Sequence, residues 1–152
     1  MEMMMVVSIV GIVTSLGISR FDSFQARAKR AESNAVLPQI WTLQESYRAS
    51  TSTYFGGASE VPLTIDPGTT LSPSNCNIGN ALGLAITDCS RVRYVYAVEA
   101  GVTGNTFVAS ATEFAGRIFG PCTVDATSYS DTWTIDQDRS ITNPVNSLAI
   151  CL

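Results

Sequence analysis

Residues 1–18 of the chain read MEMMMVVSIVGIVTSLGI, the most informative stretch of the sequence. No charged side chain occurs in residues 3–18, whereas Glu2 places one carboxylate at the head of the run. The polar side chains within the run are three small hydroxyls, which can hydrogen-bond back to carbonyls of their own helix. The run therefore predicts a helix with apolar side chains on every face.

An apolar run of this kind has three possible interpretations. A signal peptide opens with positive charge, but here the head is acidic and the positive charge follows the run. A core helix of a soluble domain carries polar residues on one face, which this run lacks. A membrane-embedded helix needs about 20 residues to cross the hydrocarbon core, and residues 3–18 offer 16. The pattern favours a membrane-embedded helix and predicts further natural residues upstream of Met1.

The helix is predicted to continue to about Ser50, because apolar and small residues recur at intervals of three and four. This face is expected to cover a core, with polar residues opposite it. Its members are Phe21, Phe24, Ala28, Ala31, Ala35, Val36, Ile40, Leu43 and Tyr47, and the opposite residues are Asp22, Gln25, Lys29, Glu32 and Gln39. Proline usually kinks a helix, so two helices divided at Pro38 are the alternative.

The rest of the chain predicts a small head with an antiparallel sheet. Residues 51–90 contain Gly56-Gly57, three prolines and many small polar residues, a composition typical of a long loop. Four β-rich segments follow, at residues 91–99, 106–114, 132–136 and 140–142, several of them with apolar residues at alternate positions. A sheet of this kind buries one face, and the second half of the long helix offers the apolar stripe. We therefore predict an α+β fold with domains 1–50, of which 1–19 is the apolar assembly segment, and 51–152.

Composition argues against several classes of function. The 152 residues carry a net charge of −4, and residues 51–152 hold four basic and nine acidic side chains. An acidic head is a poor partner for a phosphate backbone. We therefore expect no specific nucleic acid as a partner. Histidine is absent, which removes the commonest general base and metal ligand. Asp131, Asp136 and Asp138 could supply oxygen ligands to calcium, but residues 136–139 fit a hairpin turn more simply. We predict no enzyme activity, no cofactor and no metal.

Four cysteines occur in the head, Cys76, Cys89, Cys122 and Cys151. An even number of cysteines indicates an oxidising compartment and two disulfides. The sequence gaps between them are far longer than those of zinc sites, which use close pairs. Three pairings are possible, of which pairing between neighbours closes the shortest loops.

Glu2, the apolar run and Gly11, nine residues after the glutamate, together resemble the N-terminus of type IV pilins and of the related pseudopilins. The resemblance extends through residues 21–32 as an amphipathic continuation and covers the remainder only in layout. Two departures are visible. Many members have a proline where this chain has Ser19, and the leader, its cleavage site and the first three mature residues have no counterpart before Met1, so the recorded start is expected to be incomplete.

The resemblance implies a structural subunit of a pilus filament, for motility, adhesion or DNA uptake. It implies that Glu2 pairs with the N-terminal amine of a neighbouring subunit, and that the chain is methylated. The partners implied are further copies of the chain, the inner-membrane pilus assembly machinery and the lipid bilayer. The subunit would span the inner membrane once before assembly and become an extracellular filament afterwards. The alternatives are a pseudopilin of a type II secretion system and a monomeric membrane-anchored binding domain.

Two structural expectations also follow from the resemblance. Many pilins close a C-terminal loop with a disulfide, and Cys122 with Cys151 is similar to that bridge. Taken with the preference for pairing between neighbours, the resemblance implies Cys122–Cys151 beside Cys76–Cys89. Related filaments contain a non-helical segment, and this chain is expected to lose regular helix between Gly11 and Ser19 on assembly. The weak helix positions there are Gly11, Thr14, Ser15, Gly17 and Ser19.

Overall fold

The computed structural model describes residues 2–63, 82–84, 86, 92–114, 122–124 and 127–151. Within these ranges, it describes only the backbone of residues 2, 15–23, 122, 148 and 151. Helix α1 (Glu2–Thr51) opens the chain and a short helix, α2 (Ser147–Cys151), closes the described part. Between them lie β1 (Val61–Pro62), β2 (Tyr94–Ala100), β3 (Phe107–Glu113), β4 (Cys122–Val124), β5 (Thr127–Tyr129), β6 (Thr132–Asp136) and β7 (Ile141–Val145).

Helix α1 is continuous over 50 residues. Its second half is rich in Ala, Leu, Gln and Arg, which are strong helix formers. Pro38 lies inside the helix without ending it. Because proline has no N–H, the helical hydrogen bond from position 38 to the Asn34 carbonyl is missing. The alternative of two helices divided at Pro38 is therefore wrong.

Five strands form one antiparallel sheet in the order β1-β2-β3-β6-β7, and β4 pairs with β5 in a separate two-stranded ribbon. Strands β2 and β3 pair along their full length, from Tyr94 opposite Glu113 to Ala100 opposite Phe107. Each edge strand of the sheet contains a proline, Pro62 in β1 and Pro144 in β7. The sheet packs on the second half of α1, so the predicted α+β fold is confirmed.

Strand prediction was most accurate where alternation is strong. Strands β2, β3 and β6 lie where the sequence predicts them, and β7 occupies residues 141–145 rather than 140–142. Strand β1, inside the predicted loop, and the β4–β5 ribbon were not predicted. Both consist of strands of two or three residues, too short to show a period of two.

The core lies between α1 and the inner face of the sheet. Tyr94, Tyr96 and Val98 alternate inward along β2, and α1 contributes Leu37 and Ile40; all five are fully buried. Complete burial of an apolar side chain of this size stabilises a fold by about 1.5–3 kcal/mol. The sequence pattern places Val92, Tyr94, Tyr96 and Val98 on one face of this segment, and the burial of all four confirms that face. The sequence also predicts that Ile118 and Phe119 extend the core, and both residues lie outside the described part of the chain.

The predicted inward face of α1 is correct near Ile40 but wrong from Phe24 to Ala35. Phe24 is 65% exposed, and Ala28, Ala31 and Ala35 are also exposed. The buried residues of this part are Ala26, Arg30 and Ser33. Polar residues face the sheet here because partners on the sheet bind them, and these partners are distant in sequence.

Candidate functional site

The first part of α1 projects from the head with its apolar side chains uncovered. Every side chain of residues 3–14, here called the apolar half, is exposed. Its large side chains keep between 56% and 84% of their surface accessible. Apolar surface in water costs about 25 cal/mol for each Å², so this segment requires an apolar environment from outside its own head.

Within the described residues, no helix combines the length and the apolar character needed to cross a membrane.

The site residues predicted at the N-terminus lie along one regular helix. Glu2 begins α1, and the backbone is helical through Gly11 and Ser19. The Thr14 hydroxyl donates a hydrogen bond of 2.6 Å to the Val10 carbonyl, as expected for a small hydroxyl on a helix. Apart from the backbone of the helix itself, no described atom lies within 4 Å of a Cβ built at Gly11, so the position is open to a close neighbour. The side chains of Glu2, Ser15 and Ser19 lie outside the described residues.

Sequence reasoning missed a buried polar group, here called the Asp131 cluster. It consists of Arg30, Tyr94, Asp131, Trp133, Asn143 and Asn146. Asp131, fully buried just before β6, forms an ion pair of 2.5 Å with the Arg30 guanidinium of α1. Its other oxygen accepts hydrogen bonds from the Tyr94 hydroxyl at 2.8 Å and from the Trp133 indole at 2.7 Å. One carboxylate thus joins α1 to strands β2 and β6.

The cluster also reaches the C-terminal part of the chain. The Asn143 side-chain amide of β7 donates to Asp131 at 3.3 Å, and Arg30 donates a second hydrogen bond of 2.8 Å to the side-chain Oδ1 of Asn146. Asn146 stands just before α2 and accepts from the Ala149 N–H. The signal that could have found the cluster is weak, because Arg30 and Asp131 are 101 residues apart.

A second ion pair lies beside the cluster. Glu32 of α1 accepts from the Arg93 side chain at 3.1 Å and from the Arg93 backbone N–H at 3.0 Å.

Burial raises the pKa of Tyr94, and its hydrogen bond to Asp131 raises it further. Burial likewise raises the pKa of Tyr96, with the Glu32 carboxylate as the next cause. Both tyrosines are therefore neutral hydrogen-bond donors at physiological pH.

Two of the four cysteines lie in neighbouring elements. Cys122 begins β4 and Cys151 ends α2, and α2 packs on β4. This placement brings the two segments together, while the side chains of both cysteines lie outside the described residues. Cys76 and Cys89 also lie outside them. The pairing stays a prediction.

The described part of the head offers little for catalysis. It contains no group of three His, Cys, Asp or Glu side chains able to hold a metal ion. Asp136 serves the β6–β7 turn, where its carboxylate accepts the N–H groups of Asp138 and Ser140 at 3.0 and 2.9 Å. An open concavity of about 340 Å³ lies between residues 53–58 and the β2–β3 turn, lined by small and glycine residues without a titratable group apart from the Tyr54 hydroxyl. The exposed helix is thus the principal candidate site.

Comparison with known proteins supports the resemblance to type IV pilins that the N-terminal sequence shows. No family model matches the chain, and no solved structure matches it. The chain is similar to the type IV major pilin protein PilA of Myxococcus xanthus (strain DK1622), with 30% identity in an alignment of 91 residues that covers 56% of this chain and 41% of that protein. The match thus spans less than half of that relative. Together with the helix-on-sheet fold, this similarity confirms the resemblance to the type IV pilin family that the N-terminal sequence predicted.

Proposed function

We propose that this chain is a structural subunit that polymerises through α1 into a type IV pilus filament. The observation that carries the proposal is the apolar half of α1, which the described head leaves uncovered. Helices of this kind leave water by packing against one another at the centre of a polymer. A heterologous contact that repeats without closing generates a helical filament, with the heads on the outside.

Glu2 is proposed to set the position of each incoming subunit. A carboxylate in an apolar environment is costly unless it is paired, and the N-terminal amine of a neighbouring copy is a partner of the right charge. The position of Glu2 at the first turn of α1 also suits a carboxylate, because helix N-termini carry partial positive charge.

The same proposal includes a membrane stage and a change in the helix. Before assembly the subunit would be held in the inner membrane by its apolar start, where the pilus assembly machinery takes it up. In the filament we expect regular helix to be lost between Gly11 and Ser19. Extended chain rises about 3.3 Å per residue against about 1.5 Å in a helix, so unwinding a few residues would move the heads apart along the axis.

Electron microscopy of the purified protein tests the proposal. We expect long, uniform filaments from the wild type. Glu2→Gln and Glu2→Ala should remain in the membrane fraction yet form few or no filaments, because the unpaired amine of a neighbour replaces an ion pair. Glu99→Gln is the matched control, since Glu99 is exposed on the head and its loss should leave filaments intact.

The outcomes separate the alternatives. Short rods would favour a pseudopilin-like assembly, and particles of a single subunit would favour a membrane-anchored binding domain; either result contradicts the pilus proposal. Normal filaments from Glu2→Ala would remove the assembly role of Glu2 alone. Motility, adhesion and DNA uptake are separate tasks of such a filament, and each is scored by deleting the gene and restoring it.

A further inference from the structure

The attachment of α1 to the sheet has two parts of different chemistry. From Leu37 onward the helix is held by buried apolar side chains, Leu37 and Ile40, and by the buried Gln44. Between Ala26 and Ser33 the side chains turned to the sheet are small or polar, and the apolar Phe24 and Ala28 face the other way. Hydrophobic burial therefore does not explain why residues 24–34 lie on the head.

Polar contacts supply the attachment of this segment. Arg30 pairs with Asp131 at 2.5 Å and donates to Asn146 at 2.8 Å. The Tyr94 hydroxyl of β2 donates to the other oxygen of Asp131 at 2.8 Å, while the buried Ser33 hydroxyl donates to the Arg30 carbonyl of its own helix. Glu32 adds its pair with Arg93 at the margin of the sheet. Arg30 and Asp131 are both buried, so water screens their attraction little.

Pro38 lies next to the boundary between the two parts, and the attached part of the helix lacks one backbone hydrogen bond there. The missing hydrogen bond from position 38 to the Asn34 carbonyl makes this turn the easiest place for α1 to bend. Because the helix can bend at this turn, the segments before and after Pro38 each need their own contacts with the sheet.

We propose that the Arg30–Asp131 ion pair is a positioning contact that holds residues 24–34 of α1 on the head across the weak turn at Pro38. It fixes the direction in which the apolar half leaves the head and keeps Phe24, Ala28, Ala31 and Ala35 turned outward. Burying an ion pair adds little net stability, and its best attested use is to specify one arrangement among several. That the outward residues then meet other subunits rests on the proposed function; the orientation itself does not.

Hydroxyl-radical footprinting of the unassembled full chain in non-ionic detergent tests the proposal. The method oxidises accessible side chains, and mass spectrometry reads the extent at each residue. Tyr94 is fully buried beneath the polar part of α1, whereas Tyr54, 4% exposed, is packed beside the distal end of the helix. The two tyrosines therefore report separately on the two parts of the attachment.

The test variant is Arg30→Gln with Asp131→Asn, which removes both charges and leaves neither one unpaired. We expect oxidation of Tyr94 to rise several-fold while Tyr54 stays protected as in the wild type. Arg30→Lys keeps the charge and should remain close to the wild type. Arg27→Gln is the matched control, since Arg27 is an exposed arginine one turn earlier and its loss should change neither tyrosine.

Two results would overturn the proposal. Continued protection of Tyr94 in the double variant would show that other contacts hold the segment. A parallel rise at Tyr54 and Tyr94 would show that the ion pair supports the whole head rather than one part of the helix. Because the measurement uses unassembled subunits, either result is independent of whether the chain forms filaments.

Discussion

Gln44 and Phe55 exchange two hydrogen bonds across the end of α1. The Gln44 amide donates to the Phe55 carbonyl at 2.8 Å, and the Phe55 N–H donates to the Gln44 side-chain oxygen at 2.9 Å. Gln44 is fully buried, and its side chain bonds both backbone groups of Phe55, as a neighbouring strand would. The ring of Phe55 also meets Tyr47 edge-on at 5.5 Å. The pair thereby fixes where the chain turns back from the helix toward the sheet.

Replacing Gln44 by Met should destabilise the head by about 2 kcal/mol, because the backbone groups of Phe55 lose their partners at a site largely closed to water. Gln39→Met is the control, since Gln39 is exposed on the same helix and its change should stay within about 0.5 kcal/mol. Denaturant unfolding of the full chain in detergent measures both. Equal effects of the two substitutions would contradict the role of the pair.

Asp131→Asn alone should be costly, by about 3–5 kcal/mol, because it leaves the buried Arg30 guanidinium without a counter-charge. Asp138→Asn, at an exposed position of the β6–β7 turn, removes the same charge and should have little effect. The same unfolding measurement compares them. Adding Arg30→Gln to Asp131→Asn should recover part of the loss, and no recovery would show that the cost does not come from the unpaired arginine.

Alkaline pH should destabilise the head. Burial raises the pKa of Tyr94 and Tyr96 above that of the unfolded chain, which is about 10. Above that pH the unfolded state releases protons that the folded state keeps, so the tyrosine contribution is complete below about pH 10 and falls as pH rises. The slope reaches about 1.4 kcal/mol per pH unit for each tyrosine. Tyr96→Phe should show a shallower fall than the wild type in unfolding measured at several alkaline pH values; identical slopes would count against this origin.

Pairing of Cys122 with Cys151 should anchor the C-terminus. By the chain-entropy account, a bridge that closes a loop of about 30 residues stabilises by about 3.6 kcal/mol, and termini that are not tied down are prone to cleavage. Cys151→Ser should therefore expose the last residues to protease, while Cys76→Ser, which breaks the other predicted bridge, should not. Peptide mapping under non-reducing conditions identifies the pairs directly. Crossed pairs or four free thiols would show the prediction to be wrong.

The long helix and the central strands were predictable because their signals are local. The apolar run and the recurrence at three and four residues suffice for α1, and alternation suffices for β2. The face of α1 between Phe24 and Ala35 was not predictable in this way. Alanine is tolerated on either face of a helix, and Arg30 is buried only because Asp131 lies opposite it after folding.

The functional residues also differ in whether their signals in the sequence are local. Glu2 and the apolar half follow from a few adjacent residues, so sequence alone identified them. The Asp131 cluster joins five segments of the chain that the fold brings together, and no spacing rule connects them. Such a cluster becomes visible only when strand order is known.

The prolines in β1 and β7 bear on how the head behaves among many copies of itself. An edge strand is a template on which a foreign strand can add, and proline interrupts this because it offers no N–H. Pro62 and Pro144 lie one at each edge of the five-stranded sheet. In the proposed filament, neighbouring heads would thereby be kept from merging their sheets, and contact between them would be left to side chains.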